Sequence, residues 1–221
     1  MALGATNRLH LLARCYSYTD KTWHGYLPYY AEHLGPLRFH RNVVLEIGVG
    51  GRDGFDQPAP GGSLRVWRDY FPRSVIAGLD INEKNVQLGE RVRFFRGDQS
   101  STADLTRVAG ELGRLDVVID DGSHVGAHQW ASFRVLFPLL RPGGWYVIED
   151  LSTSYYPDYE GGVPAPSTTG VGLLRELVDS VQVNDPTFDV HPEWGARPPV
   201  DFSEVQAMHV YPGIAFIQKR G

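Results

Sequence analysis

Two acidic pairs stand at the ends of two apolar runs of the sequence. Asp120-Asp121 follows the run LDVVI, Glu149-Asp150 follows the run GGWYVI, and His124 comes three residues after Asp121. If the two runs are neighbouring strands of one parallel sheet, up to four carboxylates and an imidazole converge at the same edge. Carboxylates crowded in this way repel one another unless a proton or a hard divalent cation such as Mg2+ lies between them. The pattern therefore indicates an enzyme.

Each of these residues also has a structural interpretation. Adjacent residues on a strand point to opposite sides, so one member of the first pair is expected to serve the structure, and Asp120 is the weaker metal candidate. The alternative for Asp121 is a cap on a helix that begins near His124. The alternative for Glu149 and Asp150 is a solvated loop pair. His124 alone would more often be a helix-start residue than a base.

Apolar runs alternate with helix-like segments along the chain, which predicts βαβ units and a mainly parallel sheet. The predicted strands are Val43–Ile47, Ser74–Ile81, Val92–Gly97, Leu115–Asp120 and Trp145–Ile148. The predicted helices are Ser63–Tyr70, Asn82–Glu90, Thr102–Leu112 and His124–Leu140.

The C-terminal end has a different pattern. Val205–Tyr211 and Ile214–Lys219 are strand-like runs joined by Pro212-Gly213, which predicts an antiparallel hairpin. Two Gly/Pro-rich stretches, Arg52–Gly62 and Gly161–Gly170, are predicted to be mobile loops near the mouth of a site.

The bulk composition narrows the class of protein. The 221 residues suit one domain with a substantial core, and 42% hydrophobic residues is ordinary for a globular protein. The net charge of −5 gives no basic footprint for nucleic acid. The single cysteine, Cys15, excludes an internal disulfide and suits a reducing cytoplasm. The N-terminus has no convincing signal peptide, and no stretch approaches the roughly 20 apolar residues of a membrane helix. The sequence therefore predicts a cytoplasmic protein without a membrane partner.

Three consecutive strand ends carry polar residues that suit a nucleotide-type ligand. The first ends in Glu46 followed by Gly48 and Gly50, where glycines let the backbone approach a ligand and the next helix offers free N–H groups. Asp80 ends the second strand, where a carboxylate can accept hydrogen bonds from two ribose hydroxyls. Asp98 ends the third and is followed by Gln99, placed to touch an adenine ring. Ligands collect outside the carboxyl ends of such strands. A structural tight turn explains a lone glycine run about as well.

The order VVLEIGVGG, GLDI, GDQS and an antiparallel ending resembles the class I S-adenosylmethionine-dependent methyltransferases. That resemblance implies an α/β Rossmann-like fold, with a mainly parallel seven-stranded sheet and an antiparallel C-terminal hairpin. It further implies a single domain over residues 1–221, with an N-terminal cap segment at 1–40 and the Rossmann-like core at 41–221. A nicotinamide-dependent oxidoreductase is disfavoured, because Asp53 stands where GxGxxG requires its last glycine.

A narrower resemblance rests on rarer motifs. They are Thr19-Asp20-Lys21, His24-Gly25-Tyr26, Tyr29-Tyr30, Gly61-Gly62-Ser63-Leu64 with Trp67, Ile119-Asp120-Asp121-Gly122-Ser123-His124 and Val147-Ile148-Glu149-Asp150. Together they resemble the magnesium-dependent deoxysugar O-methyltransferases of bacterial natural-product pathways, of the mycinamicin, spinosyn, elloramycin and calicheamicin type. Some members of that family carry an additional N-terminal domain outside the region that this chain resembles.

The narrower resemblance implies roles for individual residues. Asp121, Glu149 and Asp150 would bind Mg2+, and His124 would be the general base. The residues implied to hold S-adenosylmethionine are Thr19, Lys21, Glu46, Gly48, Gly50, Ser63, Asp80, Asp98, Gln99 and Asp121. The aromatic residues Tyr155, Tyr156 and Tyr159 are equally a candidate acceptor lid and a candidate subunit contact.

The implied reaction is O-methylation of a deoxysugar hydroxyl, rhamnose-like, on a glycosylated natural product or a nucleotide sugar, by a homo-oligomer. Two neighbouring substrate oxygens would complete the octahedral shell that Mg2+ prefers and would lower the pKa of the hydroxyl. Two alternatives stay open. One is metal-dependent methylation of a catechol or small phenol, and the other is a non-catalytic protein that binds S-adenosylmethionine as a partner.

Overall fold

A computed structural model describes residues 2–16, 19–50, 60–191, 193, 195 and 197–221. In this part of the chain the apolar runs form one sheet of seven strands. The strands are β1 (Val43–Ile47), β2 (Val75–Asp80), β3 (Val92–Arg96), β4 (Leu115–Asp120), β5 (Leu140–Ile148), β6 (Val205–Tyr211) and β7 (Ile214–Lys219). Their order across the sheet is β3-β2-β1-β4-β5-β7-β6. The pairs from β3 to β5 are parallel, and β7 is antiparallel to both of its neighbours. The predicted fold class is confirmed.

Helices cover both faces of the sheet. They are α1 (Ala2–Cys15), α2 (Leu27–Leu34), α3 (Gly62–Tyr70), α4 (Thr102–Leu112), α5 (Gly126–Leu136), α6 (Gly170–Gln182) and the short α7 (Thr187–Val190). Alternate residues of a strand point to opposite faces, so β1 sends Leu45 and Ile47 into the core under α4 to α6 and Val44 into the core under α1 to α3. Within the described segments, every helix is too short or too polar to cross a membrane.

The strand register brings the sequence motifs to one edge of the sheet. Ile47 of β1 pairs with Asp120 of β4, and Asp120 pairs in turn with Ile148 of β5. The residues that follow these partners, Asp121 and Glu149 among them, therefore leave the sheet side by side. The expectation that the two acidic runs are neighbouring parallel strands is confirmed.

The structure differs from the predicted elements in three places. The segment predicted as a helix over Asn82–Glu90 is irregular, because Val86 and Leu88 lie two residues apart, as an extended chain requires, and both pack against the core. The helix predicted over His124–Leu140 is shorter, since His124 has a positive φ and Leu140 already pairs with β4 as part of β5.

The third error concerns α6, which has no counterpart among the predicted helices. It begins after Thr169, the last residue but one of a predicted loop, and the hydroxyl of Thr169 caps the helix by accepting a hydrogen bond from the Gly172 N–H. The loop predicted over Arg52–Gly62 lies mostly outside the described residues, and its last residue, Gly62, begins α3.

Candidate active site

Two residues at the carboxyl edge have a left-handed backbone that side chains other than glycine rarely adopt. The φ angles of His124 and Asp150 are 58° and 54°. Such conformations cost on the order of 1–3 kcal/mol and persist only where the surrounding structure enforces them. Thr153 contributes to that support, because its Oγ1 lies 2.7 Å from the Asp150 carbonyl oxygen and 3.3 Å from the His124 carbonyl oxygen. The backbone strain coincides with the predicted base and a predicted metal ligand.

His124 and Asp150 face each other across the site. Nε2 of His124 lies 3.5 Å from Oδ2 of Asp150, and the two side chains are 19% and 20% exposed. The other oxygen of Asp150, Oδ1, accepts a hydrogen bond from the Tyr26 hydroxyl at 2.8 Å. His24 stacks on Tyr26 and places its Nδ1 3.9 Å from the same oxygen. A carboxylate in this position orients an imidazole and stabilises its protonated form.

Lys21 lies at the buried centre of the site and is only 1% exposed. Its Nζ donates to Asp121 Oδ2 and Glu149 Oε1 at 2.6 Å each and lies 3.1 Å from Glu46 Oε1. The Tyr30 hydroxyl donates a short hydrogen bond to the same oxygen of Glu149. The ammonium therefore compensates carboxylates from β1 and from the residues directly after β4 and β5, as buried charges require.

Burial shifts the proton affinities of this cluster. Desolvation raises the pKa of Glu149 to about 7, against the lowering effect of Lys21. Burial, followed by the charge of Glu149, holds the pKa of Asp121 well above its usual value. Burial alone would lower the pKa of Lys21, but the surrounding carboxylates outweigh it and hold that pKa well above its usual value. One ammonium thus leaves excess negative charge, and a further cation would be stabilised here.

We expect the metal-free protein to lose stability as the pH rises through about 7, the pKa of folded Glu149. Between the ordinary value of 4.5 and about 7, folded Glu149 keeps its proton while unfolded Glu149 releases it. The unfolded state then binds fewer protons, so the free energy of unfolding falls with rising pH. Thermal melts in EDTA across this window measure the decline. Glu149→Gln is the matched control because it cannot ionise, and an unchanged pH slope in that variant would contradict the assignment.

The three predicted metal ligands are each held through one carboxylate oxygen by the hydrogen bonds described above. The held oxygens are Asp121 Oδ2, Glu149 Oε1 and Asp150 Oδ1. The second oxygens take no part in those bonds. A set of carboxylate oxygens fixed in this way is the donor chemistry that Mg2+ prefers, so the residues fit a hard divalent cation.

Within the described residues, possible ligand atoms converge to within 4.8 Å of one another in two groups. One contains Asp121, His124 and Asp150, and the other contains Glu46, Asp121 and Glu149. The structure thus brings Asp121 and Asp150 together directly, whereas Glu149 joins Asp121 in the second group, which also surrounds the Lys21 ammonium. The helix-cap alternative for Asp121 is not adopted, because α5 begins only at Gly126.

Asp120 is a buried structural carboxylate, as expected for one member of its pair. Its Oδ1 accepts from Gln99 Nε2 at 2.6 Å, and its Oδ2 accepts from the Ser132 and Tyr146 hydroxyls at 2.5 and 3.0 Å. Gln99 Oε1 accepts in turn from the Ser123 N–H at 3.0 Å. The network fixes the loop between β4 and α5. It also uses the Gln99 amide inside the protein, and the contact of Gln99 with an adenine ring stays a prediction.

The turn after β1 lies directly against the loop after β4. Gly48 and Gly50 have φ angles of 85° and 73°, in the region that favours glycine. A Cβ atom at Gly48 would overlap the carbonyl oxygen of Asp121, whereas one at Gly50 would meet no described atom within 4 Å. Among the described residues, nothing fills the Cβ position of Gly50, and the predicted contact of Gly50 with a ligand stays a prediction.

Replacing Gly48 with alanine is expected to cost several kcal/mol of unfolding free energy, because it adds a backbone clash to the roughly 1–2 kcal/mol of a left-handed non-glycine residue. Gly113→Ala is the matched control, since Gly113 has a φ of 72° and open space around its Cβ position. Urea denaturation measures both variants. If both variants lost the same unfolding free energy, the Gly48 backbone would not be in tight contact with the Asp121 carbonyl oxygen.

Two residues predicted to hold S-adenosylmethionine, Glu46 and Thr19, differ in their hydrogen bonds within the protein. Glu46 Oε2 accepts a hydrogen bond from Ser63 Oγ at 2.7 Å, which joins β1 to the first turn of α3. The hydroxyl oxygen of Thr19 is buried and has no hydrogen-bond partner in the described part of the chain. A buried hydroxyl of this kind fits a bound polar ligand.

The carboxylates after β2 and β3 organise the adjoining backbone. Asp80 accepts from the N–H groups of Val49 and Asn82 at 3.0 and 2.9 Å. Asp98 accepts from the N–H and hydroxyl of Ser100 at 2.7 and 2.8 Å, and these bonds lower the pKa of Asp98. Both stay half-buried at the same edge of the sheet as Glu46. Their predicted contacts with ribose and adenine stay predictions.

Tyr26 and Tyr30 are site residues to which the sequence analysis assigned no role. Their hydroxyls hold Asp150 and Glu149, and burial, more than the effect of those carboxylates, raises the pKa of both tyrosines. The hydroxyls therefore stay protonated and donate. The available signal was the spacing of four residues between the two tyrosines, which places them on one side of a helix.

The tyrosines that follow the acidic pair differ in position. The Tyr159 ring lies 6.1 Å from the His124 ring between centroids. Tyr155 and Tyr156 are 41% and 54% exposed. Among the contacts that the structure describes, only that of Tyr159 reaches His124, the predicted base.

The comparisons with known proteins agree with the fold. The sequence profile of a family described as "Methyltransferase domain" matches residues 53–151. The chain is 43% identical over 199 residues to 8-demethyl-8-alpha-L-rhamnosyl tetracenomycin-C 2'-O-methyltransferase of Streptomyces olivaceus, covering 89% of this chain and 50% of that protein. It is 43% identical over 200 residues to mycinamicin VI 2''-O-methyltransferase of Micromonospora griseorubida, covering 89% of this chain and 48% of that protein.

A solved structure gives the same result in three dimensions. The methyltransferase MycE of the mycinamycin pathway, solved in complex with Mg, S-adenosylhomocysteine (SAH) and mycinamycin VI, superposes with a TM-score of 0.85 at 40% identity. The match covers 96% of this chain and 53% of that chain. The chain thus spans about half the length of the relatives it matches.

The strand order and the turn after β1 give the chain the fold of a class I methyltransferase, and a methyltransferase-domain profile matches residues 53–151. Over most of its length it resembles the magnesium-dependent deoxysugar O-methyltransferases of natural-product biosynthesis, as the motifs predicted.

Proposed function

We propose that the protein is an O-methyltransferase that uses S-adenosylmethionine and Mg2+ and acts on a rhamnose-like deoxysugar hydroxyl in bacterial natural-product biosynthesis. The observation that carries the proposal is the convergence of Asp121, His124 and Asp150 within 4.8 Å beside the Gly48 turn. The acceptor would be a glycosylated natural product or a nucleotide sugar, in line with the names of the relatives.

Asp121, Glu149 and Asp150 would hold Mg2+ through the oxygens that Lys21 and the tyrosines leave free. The residues that would surround S-adenosylmethionine are Thr19, Glu46, Gly48, Gly50, Ser63, Asp80, Asp98, Gln99 and Asp121, with Lys21 supporting the pocket through Glu46. When bound, the ion supplies positive charge that lowers the pKa of a nearby hydroxyl, and S-adenosylmethionine supplies the methyl group.

His124 would take the acceptor proton at Nε2. Asp150 Oδ2 lies 3.5 Å from that nitrogen, so an ion held by Asp150 and the base would both reach the same acceptor hydroxyl. Tyr26 keeps the carboxylate in place through Oδ1. A general base positioned in this way typically contributes about 10²–10⁴-fold to the rate. The Tyr159 ring, beside His124, would limit access of water to the proton-transfer path.

We also propose a cytoplasmic homo-oligomer that binds neither nucleic acid nor membrane. Residues 1–40 would act as a cap segment on a core at 41–221, within one domain. The support for the cap segment is that Lys21, Tyr26 and Tyr30, all before β1, contact the acidic residues of the edge.

The test is an acceptor screen with S-adenosylmethionine and Mg2+, read by mass spectrometry. The panel contains rhamnosylated natural products, a nucleotide-linked rhamnose and a simple catechol. Addition of one methyl group to a glycoside or nucleotide sugar is the expected result. Methylation of the catechol alone would replace the sugar proposal with the phenol alternative. Binding of S-adenosylmethionine without turnover on any acceptor would favour a non-catalytic partner.

A further inference from the structure

The two groups of cation-binding atoms share one carboxylate. Asp121 belongs to the half-exposed group with His124 and Asp150 and to the buried group with Glu46 and Glu149. Two-metal sites have this form, with ions about 3.5–4 Å apart and oxygen ligands between them. Here, however, the buried group already surrounds a cation that belongs to the chain.

That cation is the ammonium of Lys21. Its Nζ lies 2.6 Å from Asp121 Oδ2, 2.6 Å from Glu149 Oε1 and 3.1 Å from Glu46 Oε1, so it touches every member of the buried group. Lys21 comes from the short turn Asp20–Thr22, and its side chain is 2% exposed. It cannot leave the group without breaking three ion pairs in the interior of the protein.

We propose that Lys21 permanently fills one of two adjacent cation positions and so restricts the site to a single divalent ion beside His124. The proposal rests on the proposed function for the identity of that ion, Mg2+. Lys21 thereby acts as a positioning residue, because Glu46 and Glu149 keep their places whether or not the metal is bound.

The charges of the site support this division. The two groups, which share Asp121, contain four carboxylates in all: Glu46, Asp121, Glu149 and Asp150. With the Lys21 ammonium and one divalent ion, a single negative charge remains, which the N–H and O–H donors around it can stabilise. A second divalent ion would turn the net charge positive in a buried environment. Removal of the ammonium reverses the balance, since one divalent ion would then leave two negative charges among carboxylates of which Glu46 and Glu149 are buried.

The chain offers a direct test with Mn2+ as the probe, in the presence of S-adenosylhomocysteine. Equilibrium titration, with free Mn2+ measured by electron paramagnetic resonance, should give one ion per wild-type chain. Lys21→Met removes the ammonium and keeps the length of the side chain, and it should bind two. Lys21→Met with Glu46→Gln deletes a ligand of the second position and should return to one. Lys84→Met, in neither cation group, should match the wild type.

Each outcome decides the proposal. Two ions on the wild-type chain, or one ion on a folded Lys21→Met chain, would overturn it. If Lys21→Met unfolds in EDTA, its thermal melt is followed as Mn2+ is added. Recovery of a cooperative melt with two bound ions supports the proposal, and failure to recover at concentrations that saturate the wild type overturns it. A wild-type chain that binds no Mn2+ rejects the metal part of the proposed function, a result distinct from binding two.

Discussion

Replacing His124 with asparagine is expected to lower the rate of methyl transfer by roughly 10²–10⁴-fold, the contribution of a general base. Asparagine is chosen because it tolerates the left-handed backbone of this position better than alanine does, so the loop between β4 and α5 keeps its shape. The imidazole is the only group removed. The affinity for S-adenosylmethionine, measured by calorimetry, should stay within about threefold of the wild type, since a threefold change is under 1 kcal/mol.

His40→Ala is the matched control for this experiment. His40 is exposed and lies just before β1, at the opposite edge of the sheet from His124. Its loss should leave the rate unchanged. Substantial turnover by His124→Asn, with normal protein stability, would remove His124 from the role of base.

Chelation of divalent cations is expected to stop methyl transfer, and added Mg2+ should restore it. Asp150→Asn should raise the Mg2+ concentration for half-maximal rate by at least about 10–100-fold, the loss that follows mutation of groups that merely orient metal ligands. Asparagine again suits the left-handed φ of 54° and can still accept the Tyr26 hydrogen bond. Initial rates across a Mg2+ series in metal-free buffer provide the measurement.

Asp158→Asn serves as the control, because Asp158 is an exposed carboxylate on the segment that follows the site. Its Mg2+ dependence should equal that of the wild type. Activity that resists the chelator would overturn the metal assignment for Asp121, Glu149 and Asp150 together.

The sequence was sufficient to place the acidic edge because strand ends are local features with a geometric consequence. Helices separate the apolar runs that end at Ile47, Asp120 and Ile148, and a helical crossover is the usual connection between parallel strands. Parallel strands bring their carboxyl ends to one edge of the sheet. The observed bounds of β4 and of the hairpin strands β6 and β7 match the predicted bounds, because these too are set by the local sequence. Turn residues and apolar periodicity mark them without help from distant contacts.

The interior of the site was not predictable in the same way. Lys21 lies 100 residues before Asp121 in the sequence, and their ion pair depends on how the segment before β1 folds over the edge. A lysine next to an aspartate is usually solvated surface, so only the family resemblance, and not the residue pattern, drew attention to Lys21. The error at Asn82–Glu90 has a related cause, since two apolar residues are too few to distinguish a helix from an extended segment that packs on the core.

Because the Gly48 backbone lies against the Asp121 carbonyl, the turn after β1 and the acidic edge are packed directly together. The aromatic stretch at 155–159 lies outside that contact, with two of its rings open to solvent. Under the proposed function, substitutions at Tyr155 and Tyr156 would change the preferred acceptor and leave the packing of the turn against Asp121 intact. A search for altered acceptor preference would begin at these two positions.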